Sequence, residues 1–156
     1  MNIPARYASL LDQAIRSSLP LAAAGFDYSG VREAETAALG KYLEATFTHP
    51  RTRRKISISY FPEPDQPGTR AALSVVITKD AGDAYSGTFS INNFLEQKGA
   101  GERALSALDL TAHEGSARNQ VKGVLTEVAK VFGTDLKDVV AGKTWVHVPS
   151  DWDGYR

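Results

Sequence analysis

The most constraining feature of this sequence is a segment near its middle, residues 70–78 (RAALSVVIT), in which apolar side chains alternate along the chain. Successive side chains of an extended strand point to opposite faces, so Leu73, Val75 and Ile77 share one face. The opposite face also carries mainly small or apolar residues. We therefore expect this strand to lie centrally in a sheet, with a neighbour on each side.

The flanking segments alternate in the same way. YLEATFTH and KISISYF precede the central strand, and the short turn PRTRR between them predicts a hairpin. A proline-rich connection then leads into the central strand, and a compact turn containing Gly82 leads out of it to a last strand. The predicted strands are residues 42–49, 55–61, 70–78 and 84–90.

Helical periodicity dominates both ends of the chain. Apolar residues recur at helical spacing over residues 4–19, and Pro20 predicts the end of this first helix. Thr111 and Glu114 have the spacing of a capping box, which predicts a long helix over residues 112–132. Short helices are expected after the capping residues Ser90 and Thr134 and, from a weaker pattern, over residues 31–39.

These patterns together predict an α+β fold, in which a four-stranded antiparallel meander is covered by an N-terminal helix and a long C-terminal helix, with short extra helices. The chain has 156 residues, of which 42% are hydrophobic, and this matches one ordinary domain with a sizeable core. No internal repeat, low-complexity tract or obvious linker divides the sequence. We therefore expect a single domain over residues 1–156.

Composition argues against several classes of function. The chain has no cysteine, which rules out disulfides, thiolate metal ligands and cysteine nucleophiles. Eighteen basic residues balance eighteen acidic ones, which disfavours nucleic acid and acidic membranes as main partners. The sequence shows no apolar run long enough to span a bilayer and no apolar core of a secretory signal. We expect a cytoplasmic protein that binds neither nucleic acid nor membrane.

Residue types that carry catalysis form no recognisable motif here. His49, His113 and His147 lie far apart, and none has a second histidine or a carboxylate at the spacing of a local metal site. No serine lies in a GxSxG sequence, and GAGER lacks the third glycine and the preceding strand of a dinucleotide site. We therefore expect structural or surface roles for the three histidines, with His113 facing solvent, and we assign no catalytic residue, metal or cofactor.

One candidate binding feature is the positive cluster at the tip of the predicted hairpin. Arg51, Arg53 and Arg54 lie in the turn after His49, and guanidinium groups in such a turn can bind carboxylates bidentately. The alternative is a solvated turn without a partner. As a binding feature, this turn favours the acidic patch of a protein, because PRTRR offers neither the glycine-rich backbone nor the aromatic surface of a phosphate site.

A second candidate is the aromatic C-terminal tail. Trp145, Trp152 and Tyr155 lie within the last dozen residues, and amphipathic aromatic side chains are typical anchors of interfaces. The alternative is that the tail folds back onto the core. We expect Trp145 to fold back from an edge strand, and Trp152 and Tyr155 to be partly exposed partner-binding residues.

The layout of a small cysteine-free domain with helices covering an antiparallel sheet resembles that of bacterial immunity proteins and secretion chaperones. This resemblance is one of layout, covers no specific residues, and implies a protein that works by binding one partner. Our leading hypothesis is therefore a non-enzymatic protein-binding domain. The other hypothesis is a small hydrolase or ligand-binding protein whose site assembles from residues distant in sequence. Oligomeric state does not follow from the sequence.

Overall fold

Five strands in meander order form one antiparallel sheet in the computed structural model, which describes residues 3–62, 71–79 and 87–148. The fold class is α+β, as predicted, with one strand more than the four expected. The strands are β1 (Asp27–Thr36), β2 (Gly40–Thr48), β3 (Lys55–Phe61), β4 (Ala72–Thr78) and β5 (Thr88–Ser90). The helices are α1 (Ala5–Ser18), α2 (Ile91–Gln97), α3 (Glu102–Ser106), α4 (Ala117–Gly133) and α5 (Lys137–Val140), with a 3-10 helix at Leu110–Ala112.

The alternation in the sequence correctly assigns the faces of the central strands. Ile58 of β3 lies opposite Ala45 of β2 and Val75 of β4, and all three side chains are buried. Ile77 of β4 pairs with Ile56 and is fully buried, as expected for the inner face. The predicted strand over residues 84–90 is confirmed at Thr88–Ser90, whereas residues 84–86 lie outside the described residues.

Two helices cover this inner face. The buried side of α1 contacts the buried side of α4, and a single hydrophobic cluster joins both helices to the sheet. Within α4 the predicted apolar stripe is buried from Val121 to Phe132. None of the helices among the described residues is both long and apolar enough to cross a membrane.

The prediction of a helix over residues 31–39 is wrong, because this segment belongs to strand β1 and its hairpin turn. The register shifts between Tyr28 and Val31: Tyr28 pairs with Phe47, whereas Val31 pairs with Ala45. Three residues of β1 therefore match two of β2, which is a β-bulge. Val31 and Ala34, which the helical pattern placed on one face, lie three residues apart in β1, pair with Ala45 and Tyr42, and therefore point to opposite faces of the sheet.

The predicted start of the long helix is also wrong. Thr111 lies in the 3-10 helix, where its N–H donates to the Asp109 carboxylate, and the helix cap is Ser116, which accepts from the N–H of Asn119. Gly115 separates the two elements with a φ of 101°, a value that no right-handed helix contains. Thr111 and Glu114 therefore have the spacing of a capping box by chance, and both precede Gly115, where the chain changes direction before α4 begins.

The remaining short elements follow local capping rules in part. Ser90 caps α2 by accepting from the N–H of Asn93, and Gly99 follows that helix at a φ of 80°, as predicted. Thr134 does not cap α5 with its side chain, since its hydroxyl donates to the carbonyl of Lys130. Helix α3 was not predicted.

A polar cluster ties α1 to β1. The hydroxyl of Tyr28 donates to Asp12 at 2.7 Å, Arg16 donates to the other Asp12 oxygen at 3.0 Å, and the Arg16 guanidinium lies 4.9 Å from the centre of the Tyr28 ring. The hydrogen bond from Tyr28, followed by that from Arg16, lowers the pKa of Asp12. Burial first, and Asp12 second, raises the pKa of Tyr28. The cluster is therefore built on an ionised carboxylate and a neutral phenol.

Candidate functional site

The turn between β2 and β3, residues 49–54, is here called the arginine turn. Its ends are joined by two backbone hydrogen bonds of 2.9 Å, from the N–H of His49 to the carbonyl of Arg54 and from the N–H of Arg53 to the carbonyl of His49. The Nδ1 atom of His49 accepts two more, from the N–H groups of Arg51 at 3.2 Å and Thr52 at 3.1 Å. One histidine side chain therefore fixes the middle of the turn as well as its start.

His49 is held in place by its own surroundings. The side chain is buried, and its ring meets Phe26 edge to face with centroids 5.2 Å apart. Gly25 leaves the space for the ring, because a Cβ at that position would lie 2.7 Å from His49 Nε2. Since Nδ1 accepts two N–H groups, the neutral ring carries its proton on Nε2. The expectation of a structural role for His49 is confirmed.

Arg54 is buried, which contradicts the expectation that this residue is a solvated cation of the turn. Only 7% of the residue is exposed, and its guanidinium donates to the carbonyls of Val139 at 3.2 Å and Thr144 at 3.0 Å. The guanidinium also lies 5.0 Å from the centre of the Trp145 ring. Burial lowers the pKa of Arg54 because desolvation disfavours the charged form, although a guanidinium stays charged in a protein. Arg54 thus joins the arginine turn to the C-terminal part of the fold.

Arg51 and Arg53 remain exposed, as predicted. Arg53 has a φ of 60° and is the one residue other than glycine with positive φ among the described residues. For a side chain with a Cβ, this left-handed conformation costs roughly 1–2 kcal/mol. The hydrogen bond from Arg53 N–H to the His49 carbonyl holds the residue in this conformation. The turn therefore presents an arginine at a position where glycine would cost less.

The residues after α5 pack against the arginine turn. Gly142 has a φ of 78° and faces Thr52 so closely that a Cβ on Gly142 would collide with the Thr52 side chain. Lys143 follows, exposed, with its N–H donating to the carbonyl of Asp138 at 2.9 Å. Sequence reasoning missed this neighbour, because 90 residues separate Arg54 from its acceptor Thr144 and no local pattern joins them.

The prediction for Trp145 is correct in its packing and wrong in its secondary structure. The indole is half-buried and lies 5.1 Å from the ring of Phe89 in β5, so this part of the tail folds back on the core. Residues 144–148 have no regular secondary structure and pair with no strand among the described residues. Trp152 and Tyr155 lie outside the described residues.

The other histidines build no second site. His113 is half-buried rather than solvent-facing: its Nε2 lies 2.8 Å from the carbonyl of Ala107, and its ring packs against Gly123 of α4. An open groove of about 520 Å³ runs along this ring, past Asn119 and Lys122. His147 is exposed. In the part of the chain that the structure describes, no three histidine, aspartate or glutamate side chains group in a way that could hold a metal ion.

Comparison with known proteins finds no match to the chain among protein-family models, curated proteins or solved structures. The chemistry of the arginine turn is therefore the basis for any functional assignment.

Proposed function

We propose that this chain is a non-enzymatic protein-binding domain that uses Arg51 and Arg53 of the arginine turn to bind an acidic surface of a partner protein. The observation that carries the proposal is the left-handed backbone of Arg53. Strained residues cluster at functional sites because the surrounding structure holds them there for their side chains. An exposed arginine that costs more than glycine at the same position favours a role for its guanidinium.

The anchoring of the turn supports the same function. His49 and Arg54 are buried and bind the turn from its two ends, so the backbone that carries Arg51 and Arg53 is fixed before any partner arrives. A preorganised surface loses less conformational entropy on binding than a flexible one. Guanidinium groups pair bidentately with carboxylates, which makes an acidic patch the favoured target.

The hypothesis of a hydrolase or ligand-binding protein receives less support. His113 lies in the groove beside α4, but its Nε2 is engaged with the carbonyl of Ala107 and its ring is packed against Gly123. Such a ring is poorly placed to act as a general base. Kinship in function with immunity proteins or secretion chaperones, and a cytoplasmic location, stay predictions.

The test separates folding from binding at Arg53. Arg53→Gly relieves the backbone strain but makes the unfolded chain more flexible, so we expect its free energy of unfolding to be unchanged or up to about 1 kcal/mol higher. Its affinity for a fluorescent glutamate-rich peptide should fall roughly 2- to 5-fold, since one surface charge pair contributes up to about 1 kcal/mol. Urea titration and fluorescence anisotropy measure the two quantities.

A matched control is Arg103→Gly in α3, which removes another exposed arginine. This change should destabilise its short helix and leave peptide affinity unchanged. If Arg53→Gly binds the peptide as tightly as the wild type, the arginine turn is a solvated connection and the proposal fails.

A further inference from the structure

Three exposed cations belong to the arginine turn or to the segment that packs against it: Arg51 and Arg53 lie in the turn, and Lys143 lies between Gly142 and Thr144, which both contact the turn. Arg51 and Arg53 flank Thr52, whose side chain packs against Gly142, and Lys143 is the next residue after Gly142. We infer that Arg51, Arg53 and Lys143 form one basic surface, built from two segments distant in sequence, that binds an acidic segment of a partner protein. This inference rests on the proposed function and adds to it a third binding residue from another part of the fold.

The position of Lys143 is fixed by contacts on both of its sides. Gly142 touches Thr52, and the carbonyl of Thr144 accepts from the Arg54 guanidinium at 3.0 Å. Consecutive Cα atoms are about 3.8 Å apart, so the backbone of Lys143 lies within one peptide unit of two contacts with the turn. The N–H of Lys143 also donates to the carbonyl of Asp138, which anchors this segment to α5.

The three cations act on the same incoming segment. Salt screens exposed charges over about 8 Å at physiological ionic strength, so an acidic segment must span the contact between Thr52 and Gly142 and reach the cation beside each of them. The buried Arg54 adds to the positive electrostatic potential of this surface. Its guanidinium binds two neutral carbonyls and pairs with no carboxylate among the described residues, so its charge is not neutralised there. Positive potential of this kind accelerates association with an acidic partner.

An acidic protein segment fits this surface better than nucleic acid does. Binding to single strands normally uses aromatic side chains on which bases stack. The indole of Trp145, which contacts the Arg54 guanidinium and the ring of Phe89, is half-buried. The chain also has no net positive charge to attract a polyanion over a longer range. Glutamate and aspartate side chains of a partner protein, by contrast, can bind to the nearby guanidinium and ammonium groups without an aromatic surface.

The experiment compares charge reversals on the intact chain. The variants are Lys143→Glu, the double variant Arg51→Glu/Arg53→Glu, and the control Lys122→Glu. Lys122 is an exposed lysine of α4. Lys122 lies eleven residues before Gly133, the last residue of α4, so the two are roughly 16 Å apart along the helix axis. This separation from the C-terminal end of α4 is the reason for its choice as the control. The probes are a fluorescent glutamate-rich peptide, its glutamine-rich counterpart, and a single-stranded oligonucleotide with the same charge as the glutamate peptide.

We expect Lys143→Glu to weaken binding of the glutamate peptide about 3- to 10-fold and to reduce its salt dependence, while Lys122→Glu binds like the wild type. If only the double arginine variant loses affinity, the proposed function stands and the role of Lys143 is refuted. If none of the variants differs from the wild type, both proposals fail. Tighter binding of the oligonucleotide than of the peptide would overturn the assignment to an acidic protein segment.

Discussion

Replacement of Arg54 by methionine tests the finding that departs furthest from the sequence prediction. Methionine keeps the apolar stem but removes the guanidinium that binds the carbonyls of Val139 and Thr144. Val139 keeps a second donor, the N–H of Gly142, whereas no other described residue donates to the carbonyl of Thr144. The change therefore removes two hydrogen bonds from a charged donor and leaves one acceptor without a donor among the described residues.

The magnitude follows from these contacts. A hydrogen bond from a charged donor contributes about 1.5–3 kcal/mol, and two such bonds are lost, whereas Thr144 is exposed, so water can reach its carbonyl. Desolvation of the guanidinium in the wild type offsets part of this sum, so we expect Arg54→Met to destabilise the fold by about 2–4 kcal/mol. For a chain of this length the midpoint of thermal unfolding should fall by roughly 4–16 °C.

Urea unfolding measures this change, with Arg51→Met as the matched control in the same turn. Trp152→Phe is made in both variants, so that Trp145, which contacts Arg54, is the one fluorescent indole. Arg51 is exposed, and its replacement should alter the free energy of unfolding by less than about 0.5 kcal/mol. Equal stabilities of the Arg54 and Arg51 variants would refute the role of Arg54 as a link between the turn and the residues after α5.

Two further predictions concern the rest of the fold. Ile77→Ala on the inner face of β4 should cost about 2–5 kcal/mol in urea unfolding, whereas Val76→Ala on the half-buried opposite face should cost less than about 1.5 kcal/mol; equal costs would mean that the faces are misassigned. Tyr28 and Arg16 lower the pKa of Asp12, so the ionised carboxylate stabilises the fold above the ordinary aspartate pKa of about 4. This stabilisation is lost as pH falls through the lowered folded pKa, so the stability difference between the wild type and Asp12→Asn should be constant near neutral pH and shrink in acid; a difference independent of pH would contradict this.

The sequence was a good guide wherever one local rule governed the outcome. Period-two alternation assigned the buried face of β3 and β4, because a one-residue slip would have moved Ile58 and Ile77 into solvent. Ser90 was recognised as a cap because the N–H groups that it satisfies belong to the next three residues. Such rules depend on neighbours in the chain, and the sequence contains those neighbours.

Local rules failed where a short pattern matched the wrong element. Val31 and Ala34 have a helical spacing, but they lie on opposite faces of strand β1. Gly115, with a φ of 101°, reverses the chain between the Thr111 pattern and the true cap at Ser116. A match over so few residues does not separate one element from another, and a glycine with positive φ ends a pattern without altering the residues around it.

The candidate site was predictable only in part, for a different physical reason. The sequence identified Arg51 and Arg53 as exposed cations, but it also grouped them with Arg54, which is chemically identical and adjacent. What separates Arg54 from the others is the presence of the Val139 and Thr144 carbonyls, 85 and 90 residues away. A long-range contact of this kind leaves no periodic signal, and Lys143 was missed on the same grounds.

Arg53 and Arg54 have different roles in the turn between β2 and β3. A turn selected only for stability would carry glycine at the strained position 53, whereas Arg54 stabilises the fold by donating to the carbonyls of Val139 and Thr144. The chain keeps a cation at each position, Arg53 exposed and Arg54 buried against two neutral carbonyls. Because Arg54 pairs with no carboxylate among the described residues, its positive charge adds to the potential around Arg51 and Arg53. Backbone strain at Arg53 and the positive potential from Arg54 are therefore the two features that support the proposed binding surface for negative charge.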